Sequence, residues 1–71
     1  MKLRLNDYSQ SEAIKIIREW SGMTQTAFAR SIGKTLQTVQ RYESGEINYS
    51  MHTFYQIMKT HGLAVTVEKK R

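Results

Sequence analysis

The chain reads as an all-α domain of four short helices with a minor β-strand at each end. Three observations predict this. Four glycines and no proline punctuate 71 residues, a hydroxylated side chain precedes each apolar-periodic run, and only the two ends alternate apolar with polar residues. Gly22, Gly33, Gly45 and Gly62 each follow such a run, and a glycine in the left-handed conformation commonly ends a helix.

The first helix is predicted from about Gln10 to Ser21. Ser9 and Glu12 fit a capping box, in which the serine oxygen accepts one orphan N–H and the glutamate reaches back to another. Ala13, Ile16, Ile17 and Trp20 then form an apolar stripe at three- and four-residue spacing, widened by Ile14. The second helix, about Gln25 to Ile32, is capped by Thr24 and offers Ala27, Phe28 and Ile32 to a core. The third begins after Thr35 and has only Leu36, Val39 and Tyr42 as apolar residues. The fourth is capped by Ser50 and brings Met51, Phe54, Ile57 and Met58 to core spacing. Leu63, Val65 and Val67 alternate with polar residues or alanine over 63–68, and Leu3 and Leu5 do so over 2–6. Both patterns predict short strands, able to pair with each other. The whole chain, 1–71, is one domain with its core at about 9–63. It has no internal repeat, low-complexity tract or linker.

Eleven Lys and Arg against six Asp and Glu give a formal charge of +5. On so small a domain this favours nucleic acid or an anionic membrane surface as partner. No apolar run approaches the ~20 residues that span a bilayer. The apolar positions are spread over several capped helices, whereas a membrane-surface binder concentrates them in one long amphipathic helix. Met1 to Leu5 is too short for a signal-peptide core, so the cytoplasm is the expected location. With no cysteine, neither disulfides nor thiolate zinc ligation can support a chain this small. His52 and His61 have no Cys, Asp or Glu at metal-ligand spacing, so no metal or cofactor is expected. No triad, metal cluster or phosphate loop suggests an enzyme.

The informative segment is Met23 to Gly45, MTQTAFARSIGKTLQTVQRYESG. Two short helices joined by Gly33-Lys34-Thr35 pack at a steep angle only with a small residue, Ala29, where they come closest. Gly33 must turn without steric penalty, and Val39 wedges under the second of the two helices. With Val39 and Tyr42 inward, Gln37, Gln40 and Arg41 face outward together. Glutamine can pair bidentately with adenine and arginine with guanine, so this face has the chemistry to read base edges. Trp20, Phe28, Tyr42 and Phe54 are assigned to the core, and Lys69-Lys70-Arg71 to a solvated tail.

The chain resembles the phage Cro and repressor-like (Xre-type) helix-turn-helix family over about Ile14 to Leu63. The likeness rests on Arg18…Gly22-Met23-Thr24-Gln25, Phe28-Ala29, Ile32-Gly33, Thr35, Val39 and Arg41-Tyr42-Glu43-Ser44-Gly45. Asn48, Ser50-Met51 and Gly62-Leu63 extend it. The resemblance implies a lambda-repressor-like fold with the helix-turn-helix at about 24–44. It also implies a transcriptional repressor, expected as a homodimer on a palindromic double-stranded DNA operator. Leu36, Gln37, Thr38, Gln40 and Arg41 then fall on groove-facing positions. Thr24, Gln25, Lys34, Thr35, Asn48 and Tyr49 fall on phosphate positions, Gln25 as the family's clamping glutamine. Arg18 and Glu43 match a partly buried structural ion pair.

Three positions depart from the family pattern. Leu36 stands where a polar residue is more usual, and it could meet a thymine methyl. Glu46 replaces a frequently basic residue, which weighs against a phosphate contact at that position. Tyr49 stands where proline is common, and its hydroxyl could reach a phosphate. The fifth helix that often dimerises relatives has no counterpart, which makes strand 63–68 the expected dimer contact. An antitoxin of the same fold, binding its own promoter and a toxin protein, is the alternative function.

Overall fold

The computed structural model describes residues 2–69. A 3-10 turn at Leu5–Asp7 is followed by α1 (Gln10–Trp20), α2 (Gln25–Ser31), α3 (Leu36–Ser44) and α4 (Met51–Thr60). Lys70 and Arg71 of the expected solvated tail lie outside the described residues.

The helix starts follow the side-chain chemistry. Ser9 Oγ accepts from Glu12 N–H at 3.2 Å, and Glu12 Oε1 accepts from Ser9 N–H at 2.9 Å, completing the capping box. Thr24, Thr35 and Ser50 each accept the backbone N–H three residues on. Such a cap satisfies one of the donors a helix start leaves unpaired, and its loss typically costs about 1 kcal/mol. At the helix ends the chain folds back on itself. Lys34 N–H donates to Ala29 O at 2.9 Å, Glu46 N–H to Arg41 O at 3.0 Å, and Leu63 N–H to Met58 O at 2.8 Å. Gly33 and Gly45 have φ of +69° and +81°, the left-handed geometry that these reversals require.

α1 and α2 both pack on α3. Phe28, Ile14, Ile57 and Val39 are the largest fully buried side chains, and Ala29 is buried at the α2–α3 approach. Tyr42, Tyr49 and Phe54 continue the core as an aromatic file. The Tyr42 and Tyr49 rings meet edge-on at 5.5 Å, while Tyr49 and Phe54 stack at 6.0 Å.

Four apolar assignments differ from the sequence reading. On α1 the buried positions are Ala13, Ile14 and Ile17, while Ile16 is half-buried and Trp20 is 36% exposed. The buried face is turned toward Arg18, whose side chain reaches α3, and Trp20 is left at the rim. Met51, in the first turn of α4, is 61% exposed, and Ala27 of α2 is exposed.

Neither terminal strand forms among the described residues. Leu5, Asn6 and Asp7 close a local turn in which Asp7 N–H donates to Arg4 O at 3.0 Å and Tyr8 N–H to Leu5 O at 3.2 Å. Asn and Asp favour such turns, and here they displace the alternating pattern. Leu3 and Leu63 still pack on the core. Beyond Leu63 the chain has no regular structure up to Lys69, and Val67 is 90% exposed. An isolated two-stranded ribbon is at best marginally stable, so alternation alone does not hold two short ends together.

Candidate nucleic-acid interface

Helix α3 is inserted in the fold by one face and open on the other. Val39 and Tyr42 are buried, so the helical repeat turns Gln37, Gln40, Arg41 and Ser44 outward. These four side chains and Glu46 line one shallow depression. Leu36, 39% exposed, stands at one margin of this face. Thr38, half-buried, stands at the other, its hydroxyl 3.0 Å from Thr35 Oγ1.

Ser44 and Glu46 were not singled out as contacts from the sequence. Ser44 continues the 37–41–44 spacing, so periodicity could have found it. Its Oγ donates to Arg41 O at 3.1 Å and accepts from Glu46 N–H at 3.3 Å. Glu46 lies past the helix, where periodicity carries no signal. Its carboxylate is 3.5 Å from Arg41 Nε.

A polar network fixes α3 to the helices behind it. Arg18 of α1 donates from Nε to Glu43 Oε2 at 2.7 Å and from Nη2 to Glu43 Oε1 at 3.1 Å, and its Nη1 donates to Met23 O at 3.0 Å. The two side chains are only 15% and 6% exposed. The hydrogen bonds to Glu43 raise the guanidinium pKa above its ordinary value, outweighing desolvation. Gln25, the first residue of α2, donates to Glu43 Oε1 at 3.4 Å and accepts from Gln40 Nε2 at 3.5 Å. The network therefore runs from α1 through Glu43 and Gln25 to Gln40, an exposed side chain of the outer face.

The residues expected at phosphates lie at the starts of α2 and α3 and in the segment before α4. Thr24 and Thr35 are the exposed caps of α2 and α3, with Lys34 between them in the turn. Asn48 is exposed in the segment before α4. Tyr49 is a correction. It is buried, and its hydroxyl donates to Gln10 O at 2.9 Å at the start of α1. Burial raises the pKa of the phenol. The ring fills the core between Tyr42 and Phe54, so the hydroxyl is not available to a phosphate.

The helix-turn-helix family profile matches residues 14–67, more than half of the chain. The chain belongs to the helix-turn-helix family. Among curated relatives, the antitoxin HipB of Escherichia coli O6:H1 (strain CFT073) is 32% identical over 57 residues, covering 80% of this chain and 61% of the relative. The chain thus spans about three fifths of that relative's length. Among the solved structures similar to it, two illustrate the match, each covering 100% of this chain. The complex of a HipB serine-to-alanine variant with an O2 20mer has a TM-score of 0.70 at 26% identity and is itself covered over 100% of its chain. The HipA–HipB–O2–O3 complex has a TM-score of 0.66 at 27% identity, with 99% of that chain covered.

Proposed function

We propose that this chain is a sequence-specific DNA-binding regulator that reads the major groove of duplex DNA with α3 and represses transcription where its site overlaps a promoter. The observation that carries the reading is the outward face of α3. Gln37, Gln40 and Arg41 stand together, exposed, on a helix whose other face is locked into the core by Val39 and Tyr42. Gln37 and Gln40 suit adenine, Arg41 suits guanine, and Leu36 suits a thymine methyl. Thr38 borders the same face. Thr24, Gln25, Lys34, Thr35 and Asn48 serve as backbone contacts that set register without carrying sequence information. The net charge of +5 supplies the general attraction to a polyanion.

A homodimer on a palindromic site is the expected assembly. One reading head covers few base pairs, and paired heads one helical turn apart multiply the contact. The surface that suits a second copy is a groove between the two chain ends and the α1 and α4 helices, lined by Tyr8, Trp20, Met51, Tyr55 and Val65 among others. It shares no residue with the depression on α3, so filling it leaves the reading face free. Segment 63–68 makes no backbone hydrogen bond past Leu63 among the described residues, and it can pair across a two-fold axis.

The second reading is an antitoxin that also binds a toxin protein. It is favoured by the relative named antitoxin HipB and by the HipA–HipB complex among the similar structures. No described helix is long and apolar enough to cross a membrane.

Selection from a random duplex library, followed by binding to the enriched duplex and to its scrambled counterpart, tests the main reading. Preference for the enriched duplex at physiological salt is expected. Equal affinity for both would contradict sequence-specific reading.

A further inference from the structure

We propose that Glu46 is a specificity-determining residue that acts through Arg41, holding back that arginine's attraction to DNA in general so that guanine recognition decides where the protein stays. The inference rests on the DNA-reading function proposed above.

The placement of Glu46 is built into the end of α3. Glu46 N–H donates to Arg41 O at 3.0 Å, Ile47 N–H to the same oxygen at 3.4 Å, and Gly45 N–H to Tyr42 O at 3.3 Å. The left-handed Gly45 makes the reversal possible. The backbone therefore returns Glu46 to the residue that it neutralises. The side chains then come nearest at 3.5 Å, from Arg41 Nε to Glu46 Oε2, with 45% and 64% of their surfaces exposed.

Two ion pairs meet at α3, Arg18 of α1 with Glu43 and Arg41 of α3 with Glu46, and they differ in kind. Glu43 takes Arg18 at two points, 2.7 and 3.1 Å away, in a pair that is nearly buried. Glu46 comes nearest to Arg41 at Nε, and among the described residues no hydrogen bond ties it to the terminal nitrogens, which remain as a donor pair. Guanine offers two acceptors, O6 and N7, to such a pair. An exposed pair of this geometry adds little to folding, so its consequence lies at the DNA surface. There a carboxylate beside the groove repels phosphate and offsets one arginine charge on every sequence. Only a correctly placed guanine compensates for it. Raising discrimination through a repulsive element is a general device of specific interfaces.

The test compares wild type, Glu46→Gln, Arg41→Ala and the double variant on the enriched duplex and on a scramble of the same composition. Thermal melts establish that all four are folded, which is expected because both side chains are exposed. Glu46→Gln should bind the scramble several-fold more tightly, with a salt slope steeper by roughly one unit. It should gain less on the enriched duplex, so the ratio between the two falls. In the Arg41→Ala background the same change should shift both duplexes by equal factors. An unchanged ratio in the presence of Arg41 overturns the role of Glu46, as does an equal fall in the ratio without Arg41. A wild-type protein with no preference for the enriched duplex overturns the DNA-reading function itself.

Discussion

At the scale of single residues, Arg18 and Glu43 do the most to fix the position of α3. Their pairing was legible because the resemblance places both charges at matching positions, 25 residues apart in sequence. Removing one partner strands the other charge in a largely dry site, which typically costs about 3–5 kcal/mol. Arg18→Met and Glu43→Leu should each lower the melting temperature sharply, and the double variant should recover part of the loss. Simple additivity in those melts would show that the pair is not coupled. Lys34 and Gln25 differ in charge, and the difference is measurable. Lys34→Ala should weaken binding to every duplex and reduce the salt slope by roughly one unit. Gln25→Ala should weaken binding with the slope nearly unchanged. A Lys34 variant with the wild-type slope would place that lysine away from the phosphates. Tyr49 was illegible for a related reason. Its position in the sequence gives its neighbourhood, but the core cavity between Tyr42 and Phe54 decides which way the ring turns.

At the scale of elements, the four helices were readable almost residue by residue because their ends are chemically marked. Ser9, Thr24, Thr35 and Ser50 supply cap oxygens, and the glycines supply left-handed closures. Which stripe faces inward is less local. On α1 it depends on where α3 lies, so Trp20 and Ile16 read as core and ended at the rim. The strands failed because alternation needs a partner edge, while the Leu5–Asp7 turn needs only its own residues. The capping box gives a pH-dependent prediction. Hydrogen bonds from the Ser9 backbone and side chain hold the Glu12 carboxyl below its ordinary pKa. A depressed folded-state pKa stabilises above the unfolded value, about 4.3 for glutamate, and the gain is lost as pH falls through the folded value. The stability difference between wild type and Glu12→Gln should therefore be constant near neutrality and shrink on acidification. A difference that grows at low pH would contradict the cap.

At the scale of the whole molecule, the fold separates two surfaces, a polar face on α3 and an apolar groove bordered by both chain ends. Charge, the turn glycines and the resemblance made the first legible. The second was not, because Tyr8, Trp20, Met51 and Tyr55 belong to different elements whose convergence is set only by packing. Truncation after Gly62 removes the segment that borders the groove. The shortened chain should stay folded but lose self-association in sedimentation, and with it most of its affinity for a two-site duplex. Undiminished dimerisation would move the interface to α4. The central claim is that the outward face of α3 distinguishes base sequences, and the most direct measurement is the affinity ratio between the enriched and scrambled duplexes for Gln37→Ala and Arg41→Ala. Each substitution should cost about 1–3 kcal/mol on the enriched duplex, with a relaxed preference at one base position per half-site and a smaller loss on the scramble. Equal losses on both duplexes would show that α3 holds the DNA without reading it.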